Sequence, residues 1–190
     1  MALGTEYRMS PIIDKKYTKK HSVEKGEKAH GTRKPRDVSL LLHDIRSVHN
    51  VGAIFRSAEA VGVNRVYLSG YTPGPRDRFG RVRKDFAKTS LGSERMLAWS
   101  HVDDPEHLLS ELKKSGVQVI ALEQAPQSVD YKRVEAGLQC LIMLGNEVKG
   151  LPKKLLNVAS VIAEIPLRGK KESLNVSAAA AVFLFRLLDS

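Results

Sequence analysis

Cysteine is almost missing from this chain. Cys140 is the only one among 190 residues, so no intrachain disulfide can form, and its place in the apolar run 138–144 suits a small buried hydrophobe. Aromatic residues are also scarce, at 6%, so the core must be built from Leu, Val, Ile and Ala. No apolar stretch is long enough to cross a bilayer. The first residues lack the apolar core of a secretory signal, so the expected location is cytoplasmic. The six histidines show no ligand spacing, and no metal is expected. A Gly-x-Gly-x-x-Gly phosphate loop is lacking too, which argues against a nucleotide-dependent oxidoreductase.

What the chain has in excess is positive charge. The formal net charge is +10. Residues 1–36 hold ten lysines and arginines, Lys34 and Arg36 among them, against four acids. A second concentration lies at 76–88, where Arg76, Arg78, Arg81, Arg83, Lys84 and Lys88 face only Asp77 and Asp85. Clustered positive charge attracts polyanions and releases their counterions; a merely solvated surface is the alternative. No amphipathic apolar stripe accompanies the charge, so a membrane surface is not favoured. Residues 1–36 show no sustained apolar periodicity and read as a basic, flexible arm that orders on a polyanion. Residues 37–190 read as one domain, 42% hydrophobic composition being ample for a core.

Within that domain, apolar runs alternate with helical patterns. Strands are expected at 38–43, 63–68, 117–122, 140–144 and 158–165. Helices are expected at 51–61, from Asp104-Pro105 to about Lys114 (an N-cap followed by Pro at the first helical position), from Pro152, and at 177–188. The Gly- and Pro-rich residues 70–80 read as a loop, continued by the basic residues to Lys88. The alternation implies an α/β fold with a mainly parallel sheet flanked by helices, and ligands in such sheets sit beyond the carboxyl ends of the strands.

Three segments each place polar residues and glycine just after an apolar strand. In Asn50-Val51-Gly52-Ala53-Ile54-Phe55-Arg56, Asn50 is suited to cap a helix and Gly52 to admit another backbone closely. Arg56 either pairs with a surface acid such as Glu59 or has a functional role. In Leu144-Gly145-Asn146-Glu147-Val148-Lys149-Gly150-Leu151, a tight turn explains the glycines and Asn146 but leaves Glu147 without a task. In Ile165-Pro166-Leu167-Arg168-Gly169-Lys170-Lys171-Glu172-Ser173-Leu174-Asn175-Val176-Ser177, ordinary capping needs one of the Ser and Asn residues, not three.

In this order, the segments resemble the three signature motifs of the SpoU/TrmH family of SPOUT methyltransferases, with Leu167 in place of the usual Met as the one departure in the third. The resemblance covers about residues 37–190. It implies a SPOUT fold with a C-terminal deep trefoil knot, which breaks the ordinary rule against threading and which composition does not suggest. It implies S-adenosyl-L-methionine as cofactor, held by Leu122, Glu123, Gly145, Asn146, Gly150, Ile165, Pro166, Leu167, Ser173 and Leu174. It implies methyl transfer to a ribose 2′-hydroxyl of tRNA or rRNA, with a slight lean to tRNA guanosine from the stretch Lys88–Glu94. Arg56, Asn50, Glu147, Ser173 and Asn175 are the implied catalytic set, with Glu147 expected to lock Arg56. A homodimer is implied as well; Val182, Phe183, Leu184 and Leu187 face either the partner or the core. RNA contacts are expected from Arg76, Arg78, Arg81, Arg83, Lys84, Lys88, Lys34 and Arg36. A non-catalytic RNA-binding module of the same fold is the alternative, and retention of the polar motif residues weighs against it.

Overall fold

The computed structural model describes residues 36–188. Lys34 and the rest of the basic arm before Arg36 lie outside the described residues. Among the described residues, seven strands are joined by six helices: β1 (Asp37–His43), α1 (Val48–Ala60), β2 (Arg65–Ser69), α2 (Lys84–Ser90), α3 (Ser93–Met96), β3 (Ala98–Val102), α4 (Pro105–Lys114), β4 (Gln118–Leu122), β5 (Val129–Asp130), β6 (Gln139–Leu144), α5 (Lys153–Leu156), β7 (Val161–Glu164) and α6 (Val176–Leu188). A 3₁₀ turn, Tyr131–Arg133, follows β5.

The strands form one sheet in the order β3-β2-β1-β6-β4-β7-β5, and every pairing is parallel. Central strands of such a sheet are covered on both faces, which is why Leu40-Leu41-Leu42 and Leu141-Ile142-Met143-Leu144 are apolar throughout. Alternate residues serve opposite faces. Leu40, Leu42, Ile120, Ile142 and Leu144 pack with Ile54 and Phe55 of α1 and Phe183 and Leu184 of α6. Leu41, Val119, Leu141 and Met143 pack with Leu108, Leu109 and Leu112 of α4 and Leu155 of α5. Phe55 meets Phe86 edge to face at 5.1 Å, joining α1 to α2. Cys140 is buried, and its apolar surroundings push the thiol up to about 11, as suits an inert core residue.

The register sets up the functional end of the sheet. Leu144 of β6 stands opposite both Leu42 of β1 and Leu122 of β4, and Leu122 stands opposite Ala163 of β7. Four carboxyl ends therefore finish level, and the segments that leave them emerge side by side.

Several expected boundaries shift. The last strand begins at Val161 rather than Val158, because residues 157–160 turn: Asn157, Val158 and Ala159 each donate a backbone bond back into the preceding helix. The basic stretch is not loop throughout, since Lys84 and Lys88 belong to α2. This short helix rests on α1 at Gly52, where an added Cβ would lie 2.9 Å from Thr89 Cβ and 3.2 Å from Phe86 O; the close approach expected there is present. In α6, Phe183, Leu184 and Leu187 face the core, while Val182 and Phe185 are exposed.

Candidate active site

The site is built where β1, β4, β6 and β7 end. Its first component is the start of α1. Ser47, not Asn50, is the N-cap: its backbone is extended and its Oγ accepts from Asn50 N. Asn50 sits a turn inside the helix, so its side chain is released from capping and turns to other partners.

The second component is the loop after β6. Glu147 reaches back over a hundred residues of sequence to the start of α1. Its carboxylate accepts from Arg46 N (3.0 Å), Ser47 N (3.3 Å) and Asn50 Nδ2 (2.9 Å). Partial burial alone would raise its pKa, but the hydrogen bonds from Arg46, Asn50 and Ser47 outweigh it and hold the carboxyl below its ordinary value. The expected lock of Glu147 on Arg56 is not formed: Glu147 is engaged with Asn50 and two amides. Arg56 is exposed, and among the described residues it has no hydrogen-bond or ion-pair partner, Glu59 included. Six residues of helix separate it from Asn50, which places it about 120° away around the helix.

The third component is the segment before α6. Asn175 Nδ2 donates to Asn50 Oδ1 at 3.0 Å, while Asn175 Oδ1 accepts from Ser177 N and Ser177 Oγ and so caps α6. Asn50 thus links Glu147 of the second motif to Asn175 of the third. Three segments far apart in sequence become one polar chain, Glu147–Asn50–Asn175–Ser177.

Beside this chain lies a crevice of about 630 Å³, part of it open to solvent, whose walls include Leu122, Glu123, Gly145, Asn146, Ile165, Leu167, Ser173 and Leu174. These are eight of the ten expected cofactor positions. The other two stand outside the wall. Gly150 closes the loop after β6, with a left-handed φ of +67° and its amide donating to Asn146 O. Pro166 does not line the crevice. Asn146 is also chiefly a loop-builder: buried, it accepts from Val148 N and Lys149 N and donates to Asp44 O and Tyr71 Oη. Glu123 braces the same loop, accepting from Leu151 N at 2.7 Å.

Sequence reading missed other wall residues: Gln124, Leu144, Glu164, Val176 and Ala179. Glu164 is the last residue of β7, so the strand-end rule pointed to it. The RNA candidates divide as follows. Arg81 pairs with Asp77 and Arg83 with Asp85 at the surface, whereas Arg36 donates to Leu187 O and is tied to the end of α6. Among the described residues no cluster of His, Cys, Asp or Glu could hold a metal.

A family model described as the SpoU rRNA methylase family matches residues 37–185. The tRNA (guanosine(18)-2'-O)-methyltransferase of Aquifex aeolicus is 29% identical over 80% of this chain and 69% of its own length. The corresponding enzyme of Escherichia coli is 30% identical, and the match spans 63% of it. A 23S rRNA (guanosine-2'-O-)-methyltransferase of Xylella fastidiosa is 36% identical over 77% of this chain and 56% of that protein. The chain thus spans less than two thirds of most of these relatives. Among solved structures, an A. aeolicus TrmH/SpoU tRNA modifying enzyme superposes with a TM-score of 0.72 at 26% identity, covering 82% of this chain and 76% of that one. An AdoMet-bound rRNA methyltransferase from Sinorhizobium meliloti also gives 0.72, at 28% identity, over 80% and 56%. With Asn50, Glu147 and Asn175 joined at the carboxyl ends of the strands and the family model spanning nearly all of the described residues, the chain belongs to the SpoU rRNA methylase family.

Proposed function

We propose that this protein transfers a methyl group from S-adenosyl-L-methionine to a ribose 2′-hydroxyl of tRNA or rRNA. The observation that carries this reading is the meeting of the polar chain Glu147–Asn50–Asn175 with a largely apolar crevice at the same strand ends. The residues present fit the cofactor. A Cβ on Gly145 would lie 2.6 Å from Gly150 C and Leu151 N, so glycine keeps the floor flat and its backbone near. Leu122, Leu144, Ile165, Leu167 and Leu174 supply the apolar walls that an adenine face requires. When bound, the cofactor supplies an electrophilic methyl group on a sulfonium with a good leaving group.

The protein's work is on the other reactant. A ribose hydroxyl is a weak nucleophile that must be held in line and relieved of its proton, which passes to solvent water at the open side of the crevice. Ser173, which lines the crevice, orients it in this reading. Glu147 and Asn175 hold Asn50 from both sides, so its amide stays fixed whatever the RNA does. An arginine side chain is a poor base and a good partner for anions; Arg56 therefore stabilises negative charge developing on the 2′-oxygen or grips the adjacent phosphate. Its exposure, and its lack of a hydrogen-bond or ion-pair partner among the described residues, suit a group that meets RNA or completes the site of a second copy. A homodimer using the exposed Val182 and Phe185 belongs to this reading, as do a cytoplasmic location and the deep trefoil knot of the family. The stretch Lys88–Glu94 leans the substrate toward tRNA guanosine.

The test is methylation of total RNA with methyl-labelled cofactor, followed by nucleoside mapping, for the wild type and Arg56→Ala. Label on a ribose 2′-oxygen is expected, with the variant binding cofactor normally and turning over about a hundredfold more slowly. Label on a base rejects the reaction; unchanged turnover rejects the role of Arg56.

A further inference from the structure

The segment between β2 and α2 contains a tip that phosphate binding does not account for. Phe79 is 66% exposed there. An exposed ring alone is ordinary, but this one is held in a built turn. Arg76 and Val82 form an antiparallel bridge. Inside it, the Asp77 carboxylate accepts from Phe79 N (2.8 Å), Arg81 N (2.9 Å) and Arg81 Nε (2.7 Å). Arg76 Nη1 donates to Gly80 O at 2.7 Å, and Gly80 closes the turn with a φ of +78°. The guanidiniums of Arg78 and Arg81 lie 4.8 and 5.0 Å from the Phe79 ring centroid. Arg81 is held by Asp77; Arg78 has no hydrogen-bond or ion-pair partner among the described residues.

The root of the segment is tied to the candidate site. Tyr71 N donates to Asp44 Oδ1, and Tyr71 Oη accepts from Asn146 Nδ2, the side chain of a crevice residue. The buried Thr72 hydroxyl accepts from Ile45 N. The segment leaves the carboxyl end of β2, the same edge of the sheet from which the crevice loops leave.

We propose that Phe79 is a stacking platform for an unpaired base of the RNA substrate, with Arg78 leaving the ring to take the phosphate beside that base. The proposal rests on the RNA-methylating reading above and adds the structural class of the target: a loop or single-stranded segment. An unpaired base offers a free π-face to an aromatic ring, while bases inside a duplex already use theirs on neighbours. The arginines give the turn affinity for any RNA; the ring selects unpaired RNA, with little preference among bases.

The experiment uses the full chain, Phe79→Ala and Phe79→Trp with two RNA probes of equal nucleotide number, a hairpin with an unpaired loop and a fully paired duplex. The wild type should favour the hairpin. Phe79→Ala should bind the hairpin about tenfold more weakly and the duplex as before. Phe79→Trp should keep the preference, and its indole fluorescence should be quenched by the hairpin and not by the duplex, over a constant signal from Trp99. Equal losses on both probes, or no loss on either, overturn the platform. If the wild type methylates RNA while Phe79→Ala matches it on the hairpin, only the platform falls. If the wild type binds neither probe and methylates no RNA, the RNA reading falls and the platform with it.

Discussion

Glu147 holds the candidate site together by filling three donors with one carboxylate. Replacing it by glutamine keeps the volume but puts an amide nitrogen where an oxygen accepts, facing Asn50 or a backbone amide. We expect Glu147→Gln to lower turnover at least tenfold through loss of Asn50 positioning, with little change in cofactor affinity. The same variant has a signature in acid. Hydrogen bonds hold the Glu147 carboxyl below its ordinary value of 4.5, so its folded pKa lies beneath its unfolded one. Such a group stabilises the fold above the unfolded value, and the contribution is lost as pH falls through the folded value. The urea midpoint of the wild type should exceed that of Glu147→Gln near neutrality, and the two should converge as pH falls below the ordinary carboxylate range. A gap that is constant with pH would mean that the ionised carboxylate is not what holds the start of α1. At this scale the sequence named the participants but not the pairs. Asn50, Glu147 and Asn175 were legible from their motifs. That Ser47 would take the cap, freeing Asn50 for Glu147, was not, because Ser and Asn compete for a helix start on nearly equal terms. The partner that decides the contest comes from a distant loop.

Among the elements, the loop from Gly145 to Leu151 depends most on its exact backbone. Gly145 and the Gly150–Leu151 peptide approach so closely that no side chain fits between them. Gly145→Ala must push apart backbone atoms braced by Glu123, and the crevice floor moves with them. We expect Gly145→Ala to lose cofactor affinity by more than tenfold in calorimetric titration, while a melting transition remains. Unchanged affinity would show that the cofactor does not rest on this floor. Elements with strong apolar periodicity or clear caps were legible: α4 begins after Asp104, whose side chain accepts from His107 N, and β1, β4 and β6 lie within a residue of their expected places. The elements missed share a weak local signal. Edge strand β3 pairs only with β2 and carries Ser100 and His101 in a pattern without alternation. Helix α2 buries only Phe86 and Ser90, and a helix this short is marginal alone; its contact with Gly52 and Phe55 makes it fold, and that contact is long-range.

Taken whole, the molecule carries its excess charge in two places, residues 1–36 and 76–88, and the remainder is balanced. The second cluster is partly neutralised at close range, Arg81 by Asp77 and Arg83 by Asp85, both at exposed positions where such pairs contribute little and yield readily to a phosphate. The arm carries more uncompensated charge than residues 76–88. If both regions meet RNA, affinity falls steeply with salt, since each phosphate neutralised releases counterions. Arg36 is hydrogen-bonded to the end of α6, so the informative truncation removes residues 1–34 and leaves that anchor in place. We expect the truncated chain to bind RNA more weakly at low salt and to show a shallower slope of log affinity against log salt, with its melting temperature preserved. Neutralising Arg76 and Arg78 instead should flatten the slope by a smaller amount, because fewer charges are removed. A slope identical to that of the full chain would assign RNA binding to residues 76–88 and the carboxyl end of the sheet alone, leaving the arm's charge without a share in it.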